Sequence, residues 1–177
     1  MGARDPISWA VYESPIGPLT AVASETGLKG LLFPGKGLRL REVDRRPGRL
    51  AGAIGQLEEY FAGERRCFEL PLDIRGSDFQ RRVWRELLAI PFGETASYGE
   101  IAKRIGRPEE AREVGWAVGR TPVPIVVPCH RVIGADGSLT GYGGGLQRKQ
   151  TLLDLERRVV AGLPPDPAWA YRQLAIV

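Results

Sequence analysis

The sequence predicts an α+β (or α/β) protein, in which a small N-terminal domain of a β-meander plus a helix precedes a mainly helical domain containing a helix-turn-helix. Short apolar runs separated by Gly and Pro fill residues 9–33. Capping signatures of the Ser-x-x-Gln and Ser-x-x-Glu type begin at Ser77 and Ser97. A chain of 177 residues can bury a core without disulfides, as one domain or two small ones.

The N-terminal domain is predicted to span residues 1–75, with its β-meander within 9–33. Residues 34–49 are rich in Gly, Pro and Arg without periodicity, so we expect a surface loop with solvated arginines. A helix near 50–61 follows, and the strand-like segment 67–72 closes the domain.

The second domain is predicted to span residues 76–162. The first capping signature starts a helix over about 78–90, and the second starts a short helix that Gly106 ends. Pro108 is expected to begin another helix, running to about Gly119, because its fixed φ suits the first helical position. Two short helices separated by a Gly-containing turn are the outline of a helix-turn-helix.

The stretch after these helices has prolines at positions 122, 124 and 128, which forbid a helix and favour an extended, bent segment leading to Cys129. The glycine-rich residues 134–145 are expected to form a loop. Apolar residues at helical spacing over 146–159 predict a final helix that carries Glu156. Residues 163–177 are expected to be a weakly ordered tail.

The composition favours a polyanionic partner slightly, with 25 Lys and Arg against 21 Asp and Glu and a pI near 9.3. Cys67 and Cys129 lack CxxC spacing, which argues against a disulfide framework. With a single histidine, a zinc site is not expected, and we expect no metal and no cofactor. The start of the chain lacks an apolar signal core, and no stretch approaches the ~20 apolar residues that span a bilayer. A cytoplasmic protein without membrane association is therefore expected.

Cys129 is the candidate nucleophile. It lies between Pro128 and the chain's only histidine, His130, which Arg131 follows. His130, Arg131 and a nearby helix end are groups that lower a thiol pKa, and the thiolate is the reactive form. A downstream carboxylate could orient the imidazole. The alternative interpretation is a buried structural thiol beside a surface imidazole.

Several segments before and after Cys129, taken in their order and spacing along the chain, form one set of motifs. They are Pro128-Cys129-His130-Arg131-Val132, Pro122-Val123-Pro124-Ile125 and Gly141-Tyr142-Gly143-Gly144-Gly145-Leu146, with Phe92-Gly93-Glu94-Thr95, Ser97-Tyr98 and Arg112-Glu113-Val114-Gly115 before them and Glu156 after them. This set, which covers about half the chain, resembles the O6-alkylguanine-DNA alkyltransferases. The N-terminal half matches that family mainly in length and strand pattern.

The resemblance implies a DNA-repair methyltransferase that takes alkyl groups from O6-alkylguanine, and from O4-alkylthymine, in double-stranded DNA and keeps them irreversibly on Cys129. His130 would take the thiol proton through a water molecule, and Glu156 would orient and charge that imidazole. Tyr98 would donate a hydrogen bond to the guanine ring as the base leaves.

The resemblance also assigns residues to DNA and to the base. The damaged nucleotide must leave the stack, and Arg112, on the second helix of the helix-turn-helix, would fill the gap. The small residues Ala111 and Gly115 suit a close approach to the minor groove. Arg131 is placed with the DNA contacts, and a monomer is expected. The residues assigned to the substrate pocket are Val132, Tyr142, Gly143 and Thr121.

Three residues depart from the family pattern. Thr121 stands where an Asn precedes Pro, and losing that amide would slow alkyl transfer or be compensated locally. Glu113 and Trp116 lie on the recognition helix, where small or apolar residues are common. Glu113 would repel phosphate and weaken DNA binding, whereas Trp116 is expected in the core rather than stacked on a base.

Two other classes of function remain open. A binding module of the alkyltransferase-like kind would flip and flag a damaged base without transfer, but such proteins have another residue at the cysteine position. A Cys-His hydrolase would turn over. Neighbouring side chains of an extended segment point to opposite faces, which argues against the direct Cys129–His130 ion pair that a hydrolase needs.

Overall fold

The computed structural model describes residues 6–36 and 39–166, and the chain divides into two compact units between Ile74 and Arg75. The tail predicted for 163–177 lies outside the described residues beyond Asp166. The elements are β1 (Ser8–Ser14), β2 (Gly17–Ala23), β3 (Leu28–Leu32), α1 (Pro47–Phe61), α2 (Asp78–Leu88), β4 (Ala96–Ser97), α3 (Tyr98–Arg104), α4 (Ala111–Val118), β5 (Val132–Ile133) and α5 (Leu146–Val160), with 3₁₀ turns at Glu42–Asp44 and Cys129–Arg131.

The first unit is an antiparallel meander in the order β1-β2-β3, covered by α1, as the sequence predicts. Helix α1 begins at Pro47, three residues earlier than expected, because Pro is well suited to the first helical turn. The strand predicted over 67–72 is wrong. Pro71 cannot donate to a ladder, and the segment makes a single bridge between Leu28 and Leu72.

The second unit contains the predicted helices, and the fold class is confirmed. Both capping boxes are formed: Ser77 with Gln80 before α2, and Ser97 with Glu100 before α3. Helix α3 ends at Arg104, and Gly106 follows its C-cap with φ +74°, a left-handed conformation that favours glycine.

Helix α4 begins at Ala111 rather than at Pro108, so the predicted start is wrong. Pro108 lies in a turn that the Glu110 amide closes by donating to the Arg107 carbonyl at 2.9 Å. The fixed φ of proline suits this turn position as well as a helix start. The Trp84 indole donates to the Ala117 carbonyl at 3.0 Å and joins α2 to α4.

The segment that leads to Cys129 is a buried turn instead of the extended run that was predicted. Ile125 has φ +75°, and the Val127 amide donates to the Val123 carbonyl at 2.9 Å. Strands β4 and β5 then pair in parallel, with Ala96 opposite Val132. This pairing brings the start of α3 beside the residues that follow Cys129.

Candidate active site

Cys129 opens a 3₁₀ turn directly after Pro128, and its side chain is buried. Its amide donates to the Val127 carbonyl at 2.7 Å. The argument from an extended backbone, that Cys129 and His130 point to opposite faces, therefore fails, because a 3₁₀ turn advances by about a third of a turn per residue.

The buried carboxylate of Glu156, on α5, is the centre of the site. His130 Nε2 donates to Glu156 Oε1 at 2.7 Å, and Arg131 donates through Nε to Oε2 and through Nη2 to Oε1, both at 2.9 Å. The Gly93 amide donates to Oε2 at 3.0 Å. One carboxylate thus joins α5, the Cys129 turn and the loop after α2.

The charges of this cluster determine whether the imidazole of His130 is protonated. Burial alone would raise the pKa of Glu156, but hydrogen bonds and charges from His130 and Arg131 outweigh it and lower that pKa to about 2. Burial lowers the pKa of His130, with Arg131 and Lys149 acting in the same direction and Glu156 opposing them. The imidazole is therefore neutral near pH 7, with its proton on Nε2, because an ionised carboxylate only accepts.

His130 Nδ1 is the atom left available for chemistry. It is buried and has no hydrogen-bond partner among the residues that the structure describes. With Nε2–H held by Glu156, Nδ1 carries the lone pair and can act as a base.

The Cys129 thiol is not activated by its immediate neighbours as the sequence suggested. Burial raises the pKa of Cys129 to about 11, while the neighbouring Thr121 side chain and the charge of Lys149 lower it by less. The expectation that His130, Arg131 and a helix end would lower this pKa is wrong. At pH 7 only about one thiol in ten thousand is ionised, so a base must remove the proton.

Lys149 is a site residue that sequence reasoning missed. Its fully buried ammonium donates to the carbonyls of Val132 at 2.5 Å, Thr140 at 2.8 Å and Gly141 at 3.4 Å. It thereby fixes β5 and the loop before α5 beside Cys129. A signal was present, because Lys149 lies seven residues before Glu156 on the apolar face of α5.

The residues predicted to surround the base differ in their contacts and burial. Tyr98 opens α3, and its hydroxyl accepts from Thr140 Oγ1 at 2.9 Å. Burial, followed by the Cys129 charge, raises the pKa of Tyr142 well above its usual value. Thr121 Oγ1 donates to the Val118 carbonyl at 2.8 Å, and Val132 is buried, whereas Gly143 is exposed.

The residues predicted to contact DNA divide into two groups. Arg112 and Glu113 are exposed on α4, and Ala111 and Gly115 are half-buried there. Arg131 is 5 % exposed and pairs with Glu156. Its placement among the DNA contacts is wrong, because the guanidinium is already committed to a buried carboxylate.

The prediction that Trp116 lies in the core is also wrong. Its side chain is 57 % exposed, and Arg120 lies over its ring. Val114, Ala117 and Val118 form the buried face of α4, and Trp116 is not part of that face.

Within residues 6–36 and 39–166, no helix is both long and apolar enough to cross a membrane. The same residues contain no group of three or more His, Cys, Asp or Glu side chains placed to hold a metal ion.

Two family models match the chain. One is described as the 6-O-methylguanine DNA methyltransferase, ribonuclease-like domain, over residues 7–74, and the other as the 6-O-methylguanine DNA methyltransferase, DNA binding domain, over 78–158. The methylated-DNA–protein-cysteine methyltransferase of Mycolicibacterium paratuberculosis is 55% identical over 154 residues, 86% of this chain and 93% of that protein. The one of Methanosarcina acetivorans is 49% identical over 152 residues, 84% of this chain and 97% of that protein.

A solved structure of Mycobacterium tuberculosis OGT in complex with DNA is similar over almost the whole length. It has a TM-score of 0.84 and 49% sequence identity, and the match covers 93% of this chain and 99% of that chain. The likeness therefore includes both compact units.

The raised Cys129 pKa predicts a characteristic pH profile for chemical modification. In a Cys67→Ser protein, the rate of Cys129 alkylation by iodoacetamide should rise about tenfold per pH unit from pH 7 to pH 10, since only the thiolate reacts. Peptide mass spectrometry measures the rate. A Cys129→Ser protein reports the exposed Cys67 as a control, and a plateau for Cys129 between pH 7 and pH 8 would contradict the expectation.

Lys149→Met should destabilise the second unit. The substitution keeps the length of the side chain but leaves carbonyls of Val132 and Thr140 without their donor, at a cost of about 2 kcal/mol in the free energy of unfolding. Urea denaturation measures this cost. Lys103→Met, at an exposed position on α3, is the matched control and should change stability little. Equal stability of the two variants would show that the Lys149 bonds contribute nothing.

Proposed function

Because the chain belongs to the 6-O-methylguanine DNA methyltransferase family, we propose that it repairs DNA by moving the alkyl group of O6-alkylguanine, and of O4-alkylthymine, irreversibly onto Cys129. The observation that carries the proposal is a buried, protonated thiol directly before, in the chain, a histidine whose unprotonated Nδ1 is buried and whose Nε2–H is held by Glu156. This arrangement suits a nucleophile that is activated only when a substrate is in place.

In the proposed relay, a water molecule carries the Cys129 proton to His130 Nδ1. Glu156 stabilises the imidazolium that forms, and its bonds from Arg131 keep it ionised. The thiolate then attacks the alkyl carbon, so that an S–C bond forms as the C–O bond breaks. The electron pair leaves with the guanine oxygen. The proton taken from sulfur, passed from His130 to the guanine, then neutralises that negative charge.

Tyr98 is proposed to assist the leaving base. Its hydroxyl oxygen accepts from Thr140, so its own hydrogen remains available for a ring nitrogen of guanine. Such a bond strengthens as negative charge develops on the base.

The pocket for the base is proposed to include Thr121, Val132, Tyr142 and Gly143. The Val132 carbonyl already accepts from Lys149, but a carbonyl oxygen has a second lone pair. The Thr121 side chain lies beside the sulfur, while its hydroxyl donates to the Val118 carbonyl.

The DNA is proposed to bind against α4, the second helix of the helix-turn-helix. A target oxygen inside the duplex requires the nucleotide to rotate out, at a cost of about a few kcal/mol. Arg112 is exposed and can enter the gap, while Ala111 and Gly115 allow a close approach. A monomer acting at the nucleoid in the cytoplasm stays a prediction.

Stoichiometric methyl transfer is the direct test of the proposed function. After mixing with a duplex that contains O6-methylguanine, intact-protein mass spectrometry should show a gain of one methyl group, located on Cys129 by peptide analysis. An unmethylated duplex and a Cys129→Ala protein are the controls, and neither should show the gain. Equal demethylation of the DNA by Cys129→Ala would exclude the proposal.

The relay predicts how His130→Gln changes the pH dependence of transfer. The wild-type rate should fall as pH drops below 6.5, since the imidazole becomes protonated; because its folded pKa is lowered, the loss occurs below that value. His130→Gln should be slower at pH 7 by about 10²- to 10⁴-fold and should accelerate with pH as hydroxide replaces the base. Rapid-quench transfer assays measure both profiles, and a variant as fast as wild type at pH 7 would refute the relay.

A further inference from the structure

Trp116 and Arg120 form an exposed stack at the end of α4. The Trp116 side chain is 57 % exposed, and the guanidinium carbon of Arg120 lies 3.3 Å from the centroid of its ring. Among the described residues, Trp116 is the only aromatic one of the large apolar side chains that are exposed. A large aromatic ring left in solvent is typical of a binding surface.

The stack continues a row that begins at Arg112. Arg112, Trp116 and Arg120 are each four residues apart, so they lie along one side of α4 and the turn after it, and all three are exposed. Eight residues at 1.5 Å each give a row of about 12 Å, the rise of three to four base pairs. Arg107 is paired with Glu110 at 2.8 Å, whereas Arg120 is exposed and lies over the Trp116 ring.

We propose that the Trp116–Arg120 stack is a second DNA contact on α4, in which Arg120 pairs with a backbone phosphate and Trp116 fixes the guanidinium and packs against the adjacent deoxyribose. Duplex DNA is the partner because this contact rests on the proposed function. A guanidinium forms bidentate hydrogen bonds with phosphate oxygens, and a ring that already holds it reduces the conformational freedom lost on binding.

The stack also compensates for Glu113. This exposed carboxylate lies next to Arg112 on the same helix and repels phosphate. Arg120 restores positive charge at the other end of the row. Because every phosphate is alike, the contact strengthens binding without selecting the bases around a lesion.

The test compares Arg120→Ala, Trp116→Ala and the double variant of the full chain. Binding to an unmodified duplex is measured by anisotropy over a range of salt concentrations. Arg120→Ala should bind about tenfold more weakly at low salt, with a slope of log affinity against log salt smaller by about 1. Trp116→Ala should weaken binding about fivefold, and the double variant should resemble Arg120→Ala, because the ring acts mainly through the guanidinium.

A second readout separates binding from chemistry. Methyl transfer from a methylated duplex at limiting protein should slow in proportion to the lost affinity, whereas transfer from free O6-methylguanine should not change. The change in tryptophan emission on DNA addition should be lost in Trp116→Phe. Arg157→Ala and Leu88→Ala, at exposed positions on α5 and α2, are the matched controls and should leave all of these values unchanged.

Wild-type affinity and salt slope in both single variants would overturn the inference. It would also be overturned if the substitutions changed only the self-association of the protein, as measured by sedimentation. Failure of the proposed function is distinguishable from this result. A wild-type chain that gains no methyl group, yet loses DNA affinity with Arg120→Ala, would refute the alkyl transfer and leave the DNA contact in place.

Discussion

The buried carboxylate of Glu156 is the interaction on which the rest of the site depends. It accepts from His130, Arg131 and the Gly93 amide, and so joins α5 to the turn that carries Cys129. A buried charge is tolerated only when it is paired and hydrogen-bonded, and removing one partner leaves the others uncompensated. The same carboxylate also determines which imidazole nitrogen carries the proton. The ion pairs and hydrogen bonds that stabilise the buried Glu156 carboxylate therefore also fix the tautomer of His130.

Burial of the thiol has a consequence for a protein that is proposed to use its cysteine once. With its pKa raised to about 11, Cys129 is a neutral thiol at rest and reacts slowly with adventitious electrophiles and oxidants. In the proposed relay, activation of this thiol requires the His130 base. Lys149 moderates the effect of burial, because its charge lowers the thiol pKa while its hydrogen bonds hold the surrounding backbone.

The helix-turn-helix and the cysteine site are parts of one packed unit. An ideal Cβ at Gly115 would lie 3.5 Å from the Tyr98 ring, so α4 passes close to a residue proposed to contact the base. The exposed side of α4 carries Arg112, while its buried side packs against α2 and α3. In the proposed mechanism, a nucleotide displaced at α4 would therefore lie close to Tyr98.

The sequence by itself determined the features that depend on near neighbours. The capping boxes at Ser77 and Ser97, the β-meander and the candidate nucleophile could all be predicted, because each involves residues a few positions apart. Tertiary structure decided which charged and aromatic side chains are buried. Arg131 was expected at a DNA surface and Trp116 in the core, but the structure buries Arg131 and exposes Trp116. Lys149 was missed for the same reason, although its place on the apolar face of α5 was a signal. The thiol pKa is likewise a tertiary property, because desolvation sums over every element packed around Cys129, whereas the sequence displays only the charges beside it.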